Sequence, residues 1–192
     1  MLPLFEYALW LTWLAVLAYW LWSARTAKAA ASTETLVIRL GAYWLPLAVA
    51  GLLLGPDRWF GDSWLGEPFV AHGIAAHALG LGLAVAGAVT AIYSRRLLGR
   101  NWSATVQLKQ DHELITRGPY RFVRHPIYTG YLLLFLGSAV VVGDWRGLLA
   151  VAIVLASFWR KLRLEEAWLG KHFGEPYDTY RRSTKALLPI IL

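Results

Sequence analysis

Five stretches of apolar residues alternate with polar segments along the 192-residue chain. A helix that crosses a lipid bilayer needs about 20 consecutive, mostly apolar residues. The last stretch is short, and it reaches this length only if its helix continues past Trp159 into a charged segment. The pattern therefore predicts an all-α integral membrane protein with five transmembrane helices. The predicted spans are residues 2–22, 36–54, 73–93, 127–143 and 147–159.

Two sequence features indicate how these spans pack. Only Asp144, Trp145 and Arg146 separate the fourth span from the fifth, so we expect these two to form an antiparallel helical hairpin. The third span is rich in Gly and Ala, and small residues let helices approach closely in lipid. We therefore expect the third span to lie in the middle of the bundle, and the same small-residue surface would equally suit a dimer.

The positive charges predict an orientation. Segments 23–39, 94–126 and 160–192 hold 17 of the 19 Lys and Arg residues, whereas segments 55–71 and 144–146 hold one each. Alternating spans place the first three segments on one side of the membrane and the other two on the opposite side. Lys and Arg are concentrated in cytoplasmic segments of membrane proteins. The chain is therefore predicted to have its N-terminus outside and its C-terminus in the cytoplasm, in the inner membrane if the source is a prokaryote.

Composition narrows the function classes. Hydrophobic residues make up 57% of the chain and charged residues 16%, against about 25% charged in a typical soluble domain. The absence of Cys excludes disulfides, thiolate metal ligands and a Cys nucleophile. The net charge of +7 comes without a nucleic-acid-binding motif, so it indicates binding to anionic membrane lipids rather than nucleic acid. We expect no metal site, and the length fits a single domain, residues 1–192.

The candidate chemistry lies in two polar segments on the predicted cytoplasmic side, residues 99–128 and 160–189. Pro is favoured at the first position of a helix, so Pro126 is predicted to begin the fourth span. The residue before a proline is extended, which makes His125 a cap-like residue at that helix start. A simpler interpretation is a proline-initiated helix whose Arg124 reaches the lipid headgroups.

A second candidate is the pair of adjacent carboxylates at Glu165 and Glu166, just beyond the fifth span. Lys161 precedes Glu165 by four residues, so the two side chains share one face if the helix continues. A solvated ion pair would explain this spacing. The predicted hairpin, however, brings these residues back beside Arg124 and His125. A cation, an imidazole and a carboxylate that converge in this way form the best site candidate in the chain.

The C-terminal half resembles a known family in several motifs. GPYRFVRHPIYTGY occupies residues 118–131 and follows HELIT at 112–116. EE follows at 165–166, then FGEPYDTY at 173–180, and then Pro189. In this order the motifs resemble those of the isoprenylcysteine carboxyl methyltransferases and their relatives, the membrane phospholipid methyltransferases. Residues 1–98 would then hold three N-terminal spans and residues 99–192 the catalytic half.

The resemblance implies the transfer of a methyl group from S-adenosylmethionine (SAM) to a lipophilic or lipidated substrate at the cytoplasmic membrane face. The acceptor would be a carboxylate or a lipid headgroup. Arg124 and Glu165 would be catalytic, with Arg124 neutralising a carboxylate of substrate or cofactor, and Lys161 and Arg124 would bind the substrate. The implied cofactor-binding residues are Gln107, His112, Glu113, Leu114, Ile115, Tyr120, His125, Pro126, Ile127, Tyr128 and Glu165.

The sequence leaves open two other function classes and the structure of the C-terminal tail. An NADPH-dependent membrane reductase of sterol-reductase-like architecture is a second interpretation, since such proteins share a similar C-terminal architecture. A transporter or assembly factor is a third, although the charges nearest to span cores, Glu6 and Arg39, lie near span ends. Gly174 and Pro176 are predicted to break the helix before residues 177–182, which would form either an aromatic lid or an amphipathic surface helix.

Overall fold

The computed structural model describes residues 2–25, 36–99, 102 and 113–188, and helices dominate these ranges. A π-helical stretch, Leu40–Trp44, joins the second and third α-helices into one continuous helical segment. Short 3₁₀ turns occupy Asp57–Trp59, Trp64–Gly66 and Gly118–Arg121. The α-helices are α1 (Leu2–Ala24), α2 (Leu36–Arg39), α3 (Leu45–Leu53), α4 (Ile74–Leu98), α5 (Pro126–Val142), α6 (Trp145–Phe173) and α7 (Glu175–Ser183).

All five predicted spans are helical, and two of the helices satisfy the requirements for crossing a membrane on their own. These are α1 and α4, which are long and apolar enough, whereas Leu40–Leu53 and α5 are shorter apolar helices. As predicted, α6 continues without a break past Trp159. Its 29 residues give a rod of roughly 44 Å. The number of spans and their orientation remain predictions.

Helices α4 and α5 pack closely through glycines on both. A Cβ atom added to Gly87 would lie 2.5 Å from the backbone nitrogen of Leu134 in α5, and one added to Gly137 would lie 2.4 Å from that of Ala84 in α4. Such distances leave no room for a side chain, so the two backbones are nearly in contact. Because α1 packs on the same helix, α4 has the internal position that its small residues predicted.

The predicted hairpin of α5 and α6 is present, and a buried arginine secures its turn. Gly143 adopts a positive φ of 80°, which glycine tolerates without steric cost. Arg146 is 1% exposed, and its Nε donates to Asp144 Oδ2 at 3.0 Å. The same guanidinium pairs with Asp57 and donates to the carbonyl of Leu53 at 3.1 Å. These contacts satisfy a buried charge and fix the end of the hairpin that lies away from the candidate site.

The segment after α7 anchors the start of α5. The backbone N–H of Arg124 donates to the carbonyl of Lys185 at 2.8 Å, and that of His125 donates to the carbonyl of Ala186 at 3.0 Å. Thr129 Oγ1 then donates to the carbonyl of Leu187 at 2.7 Å. The extended pairing satisfies the backbone immediately before a helix, which a proline-initiated helix cannot satisfy internally. It holds the candidate histidine in place.

Candidate active site

His125 lies between two carboxylates at the start of α5. Its ring Nε2 is 3.2 Å from Glu166 Oε1, and its Nδ1 is 3.6 Å from Glu165 Oε2. Pro126 begins the helix as predicted. The two glutamates are adjacent on α6, and successive residues of a helix point about 100° apart. The two glutamate side chains therefore leave α6 in different directions, and the imidazole lies between them, so that each carboxylate contacts a different ring nitrogen.

Arg124 binds the second of these glutamates. Its Nε and its Nη2 each lie 2.8 Å from Glu166 Oε1, and its Nη1 donates to the backbone carbonyls of Arg181 and Thr184. The sequence predicted that Arg124 neutralises a carboxylate of the substrate or the cofactor. In the structure the carboxylate that it neutralises is the protein's own Glu166, and its contacts tie α5, α6 and the end of α7 together.

Glu165 is the more accessible carboxylate, with its side chain 24% exposed against 8% for Glu166. The hydroxyl of Tyr128 donates to its Oε1 at 2.5 Å. The Tyr128 ring stacks on His125 with centroids 5.5 Å apart and an interplanar angle of 10°. The Glu165 side chain is thus held by Tyr128 and His125 and remains partly exposed at the cavity that it lines.

Lys161 lies one helical turn before Glu165, as its spacing predicted. Its Nζ is 5.6 Å from the centroid of the Tyr128 ring and 5.3 Å from that of Tyr43. Tyr43 comes from the π-helical stretch before α3, and single π-helical turns occur frequently at functional sites. An ammonium between two aromatic faces is an arrangement that stabilises cations. The site therefore includes a residue from the N-terminal half that the motifs did not predict.

The ionisation of this cluster follows from its contacts. Burial disfavours the charged form of His125, but hydrogen bonds and negative charge from Glu165 and Glu166 dominate and raise its pKa above the ordinary value. Burial likewise opposes the charged forms of the glutamates, but contacts with His125, with Lys161 for Glu165 and with Arg124 for Glu166 lower both pKa values, that of Glu166 to about 2. The contacts therefore favour the charged forms of all three groups, an imidazolium between two carboxylates.

Three tyrosines form a layer beside this cluster. Tyr180 donates its hydroxyl to the carbonyl of Tyr120 at 2.5 Å, and Tyr120 donates to the carbonyl of Ser94 at 3.3 Å. Tyr177 is 1% exposed. Helix α7 does begin after the break at Gly174, and its tyrosines face inward over the cluster rather than outward. Helix α7 has the buried tyrosine face expected of an aromatic lid and the exposed polar face expected of an amphipathic surface helix, so its geometry agrees with both predicted alternatives.

A single cavity of about 1430 Å³ joins the cluster to the apolar interior of the bundle. At the cluster end it is lined by Lys161 and Glu165, and further along by Trp20, Tyr131 and Phe135. Except for Glu6, the residues of α1 and α3 that line the cavity are apolar or aromatic, so an apolar middle separates the cluster from a second polar end lined by Asp57, His72 and Arg146. Pockets of this kind, apolar with a few convergent polar groups, are typical of ligand sites.

Most of the predicted site residues that the structure describes come together here. Gln107 and His112 lie outside the described residues. Pro126 is buried at the helix start. The family resemblance assigned no role to Tyr43, Glu166, Tyr177 or Tyr180, although EE and FGEPYDTY contain three of them. The predicted residues that line the cavity are Glu113, Leu114, Ile115, Tyr120, Arg124, His125, Ile127, Tyr128, Lys161 and Glu165.

Comparisons with known proteins point to one kind of enzyme. Over 96 residues the chain is 35% identical to a protein-S-isoprenylcysteine O-methyltransferase from Schizosaccharomyces pombe, which covers 48% of this chain and 41% of that protein. Over 116 residues it is 31% identical to a probable protein-S-isoprenylcysteine O-methyltransferase from Oryza sativa subsp. indica, covering 59% of this chain and 61% of that protein. The chain thus spans between two fifths and about three fifths of these relatives.

The fold has a solved counterpart. The structure of the eukaryotic intramembrane Ras methyltransferase ICMT (isoprenylcysteine carboxyl methyltransferase) superposes with a TM-score of 0.55 at 25% identity, over 78% of this chain and 52% of that one. The model of the phospholipid methyltransferase family matches residues 75–176, which make up more than half of the chain and include His125, Lys161 and both glutamates of the cluster. The chain belongs to the phospholipid methyltransferase family.

Proposed function

We propose that the protein transfers a methyl group from SAM to the carboxylate of a lipophilic acceptor, such as a prenylated cysteine, at the cytoplasmic face of the membrane. One observation carries the proposal: a continuous cavity joins the ionised cluster at Lys161 and Glu165 to apolar walls formed by α1 and α3. An acceptor with a charged head and an apolar chain fits such a cavity. The activity named for the relatives supports methyl transfer over the reductase and transporter interpretations.

The residues at the polar end fit the cofactor. SAM carries a sulfonium cation, an amino acid and an adenosine, and when bound it supplies an electrophilic methyl group. The carboxylate of Glu165 would bind its amino group or ribose hydroxyls, with Glu113, Leu114 and Ile115 along the same cavity wall. Tyr43 and Tyr128 already flank an ammonium group, and such aromatic faces suit cations.

The charge of the cluster suits an anionic acceptor. Arg124 and Glu166 neutralise each other, and His125 balances Glu165 in the imidazolium form that its contacts favour. Lys161 then gives the site a net positive charge, and we assign it the binding of the acceptor's carboxylate. The Lys161 ammonium is a point charge and lacks the two-pronged hydrogen-bonding geometry of an Arg. It would therefore attract the acceptor's carboxylate without fixing its orientation.

The protonation states favour a carboxylate over an amine. A carboxylate is already ionised at neutral pH, so methyl transfer to it needs positioning and electrostatics but no general base. An amine would first have to lose a proton. Contacts with Glu165 and Glu166 raise the pKa of His125 and favour its protonated form, and Glu166, with a pKa of about 2, is a weak base. Neither group is suited to deprotonate an amine at neutral pH.

Arg124 acts in this proposal as a positioning residue. By fixing Glu166 it fixes one side of His125, and the imidazole then orients Glu165 towards the cofactor. The predicted orientation, with an outer N-terminus and a cytoplasmic C-terminus, would put this end of the bundle on the side where SAM is available. The acceptor's chain would enter sideways from the lipid, between α1 and α3.

Two measurements on the full-length protein test the function. Calorimetric titration with S-adenosylhomocysteine and with NADP⁺ should give binding of the first and not of the second. Label from [methyl-³H]SAM should then appear on an S-prenylated cysteine derivative as a methyl ester, which mild alkali releases as methanol. Label in an alkali-stable product on phosphatidylethanolamine vesicles would instead identify an amine acceptor. The absence of S-adenosylhomocysteine binding at saturating concentration would overturn the proposal.

A further inference from the structure

The hydroxyl of Tyr177 is a buried donor without a hydrogen-bond partner among the described residues. The side chain is 1% exposed, so bulk water does not solvate it. An unpaired buried hydroxyl lowers the stability of the folded state. Tyr180, three residues later on the same helix, differs in this respect because its hydroxyl donates to the carbonyl of Tyr120 at 2.5 Å.

Local turns and packing fix the position of the Tyr177 ring. Gly174 has a positive φ of 56°, which ends α6 and lets the chain turn back into α7. Gly170 faces the ring, and a Cβ atom added there would lie 3.9 Å from Tyr177 Cδ1. The ring packs against that of Tyr180 with centroids 6.2 Å apart and an interplanar angle of 67°. Packing therefore holds the ring in place, whereas its hydroxyl has no hydrogen-bond partner among the described residues.

The surroundings of Tyr177 identify the kind of partner it lacks. It lines the same cavity as Glu165, and its hydroxyl lies within electrostatic range of Glu166 and Arg124, two members of the ionic cluster. Burial raises the pKa of its hydroxyl, so the group remains a donor throughout the physiological range. The missing partner is a polar acceptor atom in the part of the cavity that we assign to the cofactor.

We propose that Tyr177 binds the cofactor, with its hydroxyl donating a hydrogen bond to an acceptor atom that SAM and S-adenosylhomocysteine share. This inference rests on the proposed function. It assigns α7 a direct binding role, whereas Tyr180 on the same helix is structural. The unpaired hydroxyl reduces the stability of the free protein, and that loss is recovered when the cofactor is bound.

Matched removal of the two hydroxyls tests the assignment. Tyr177→Phe should weaken S-adenosylhomocysteine binding by about tenfold, the effect of one good hydrogen bond, measured by calorimetry on the full-length protein. Its thermal midpoint without ligand should be unchanged or higher, because no internal hydrogen bond is lost. Tyr180→Phe should lower the ligand-free midpoint, since it removes the bond to the Tyr120 carbonyl.

The results that would contradict the inference differ from those that would contradict the proposed function. Unchanged S-adenosylhomocysteine affinity in Tyr177→Phe would overturn the inference while leaving the proposed function intact. A ligand-free midpoint lowered as much as in Tyr180→Phe would also overturn it, because the hydroxyl would then have a partner inside the protein. A wild-type protein that does not bind S-adenosylhomocysteine would overturn both the inference and the proposed function.

Discussion

Arg124 and Glu166 form an ion pair in which two guanidinium nitrogens, Nε and Nη2, each lie 2.8 Å from the same carboxylate oxygen. The side chains are 10% and 8% exposed. The pair joins the residue before His125 to the C-terminal third of α6, and it accounts for one of the two carboxylates that hold the imidazole. The position of His125 therefore depends on a buried ion pair that need not touch a ligand.

Breaking this pair should destabilise the protein strongly. Glu166→Gln keeps the shape but leaves the Arg124 charge buried without a counterion, and such losses cost about 3–5 kcal/mol. The thermal midpoint of the purified protein should fall accordingly. Glu175→Gln is the matched control, because Glu175 pairs with Arg182 at the surface and exposed pairs contribute little. Equal midpoints for the two variants would contradict a structural role for Glu166.

Glu165 should behave differently from its neighbour. Its side chain is partly exposed and lines the cavity, and we assign it to the cofactor, so Glu165→Ala should abolish S-adenosylhomocysteine binding in calorimetry. Glu165→Gln keeps a hydrogen-bonding side chain and should retain part of the affinity. Wild-type affinity in Glu165→Ala would refute the assignment of the cofactor to this end of the cavity.

The cluster should give the protein a stability optimum between two pH limits. The pKa of Glu166 is about 2 in the folded protein against 4.5 ordinarily, so its contribution is complete above 4.5 and is lost as the pH falls towards 2. The pKa of His125 is raised above 6.5, so its contribution is complete below 6.5 and is lost as the pH rises through the higher folded value.

Thermal midpoints measured from pH 3 to pH 9 should therefore decline at both ends. His125→Asn should remove the decline on the alkaline side, and Glu166→Gln should weaken the one on the acidic side. A His125→Asn variant that keeps the full alkaline decline would show that another group causes it.

The sequence predicted the parts of this site that depend on local rules. Pro126 begins α5 because a proline lacks the N–H that a helix start cannot use, and the short turn at Asp144 fixed the hairpin. Those two facts were enough to bring His125 and Glu165 together. Distinguishing Glu165 from Glu166 was beyond local rules, because adjacent residues on a helix face different neighbours and those neighbours depend on tertiary packing.

The sequence also did not predict which distant segments contribute to the site. Tyr43 reaches Lys161 from the other half of the chain, and Ala186 pairs with the backbone of His125 through main-chain atoms. Main-chain pairing of this kind leaves little mark on side-chain patterns. Tyr177 and Tyr180 share one motif, and only the three-dimensional contacts distinguish the unpaired hydroxyl from the paired one.

Close packing of α4 on α5 should make the glycines between them intolerant of even a methyl group. A Cβ atom on Gly137 would lie 2.4 Å from the backbone of α4 at Ala84, so Gly137→Ala must push the helices apart and should lower the thermal midpoint markedly. Gly82→Ala is the matched control, because nothing lies within 4 Å of its Cβ position and alanine is the better helix former by about 1 kcal/mol. A neutral Gly137→Ala would contradict the packing described above.

Trp13 should set the length of the acceptor's apolar chain. Its indole Nε1 donates to Ser138 Oγ at 3.0 Å, and its ring meets Phe135 edge-on with centroids 5.0 Å apart. Both partners line the cavity. Ser138 lies ten residues after Tyr128 on α5, roughly 15 Å along the axis. A chain that extends from the Tyr128 end therefore meets the indole after about that distance.

Trp13→Ala should shift the preference towards longer chains, measured as kcat/KM for a series of S-alkyl cysteine derivatives of increasing length. Discrimination between chains that differ by one methylene is worth about tenfold or more in such pockets, and the variant should lose or reverse a preference of that size. Trp22→Ala on the same helix is the control, since Trp22 is 61% exposed and does not line the cavity. If the length profile of Trp13→Ala matches that of the wild type, the acceptor's chain does not follow α5, and the lateral route between α1 and α3 must be placed elsewhere.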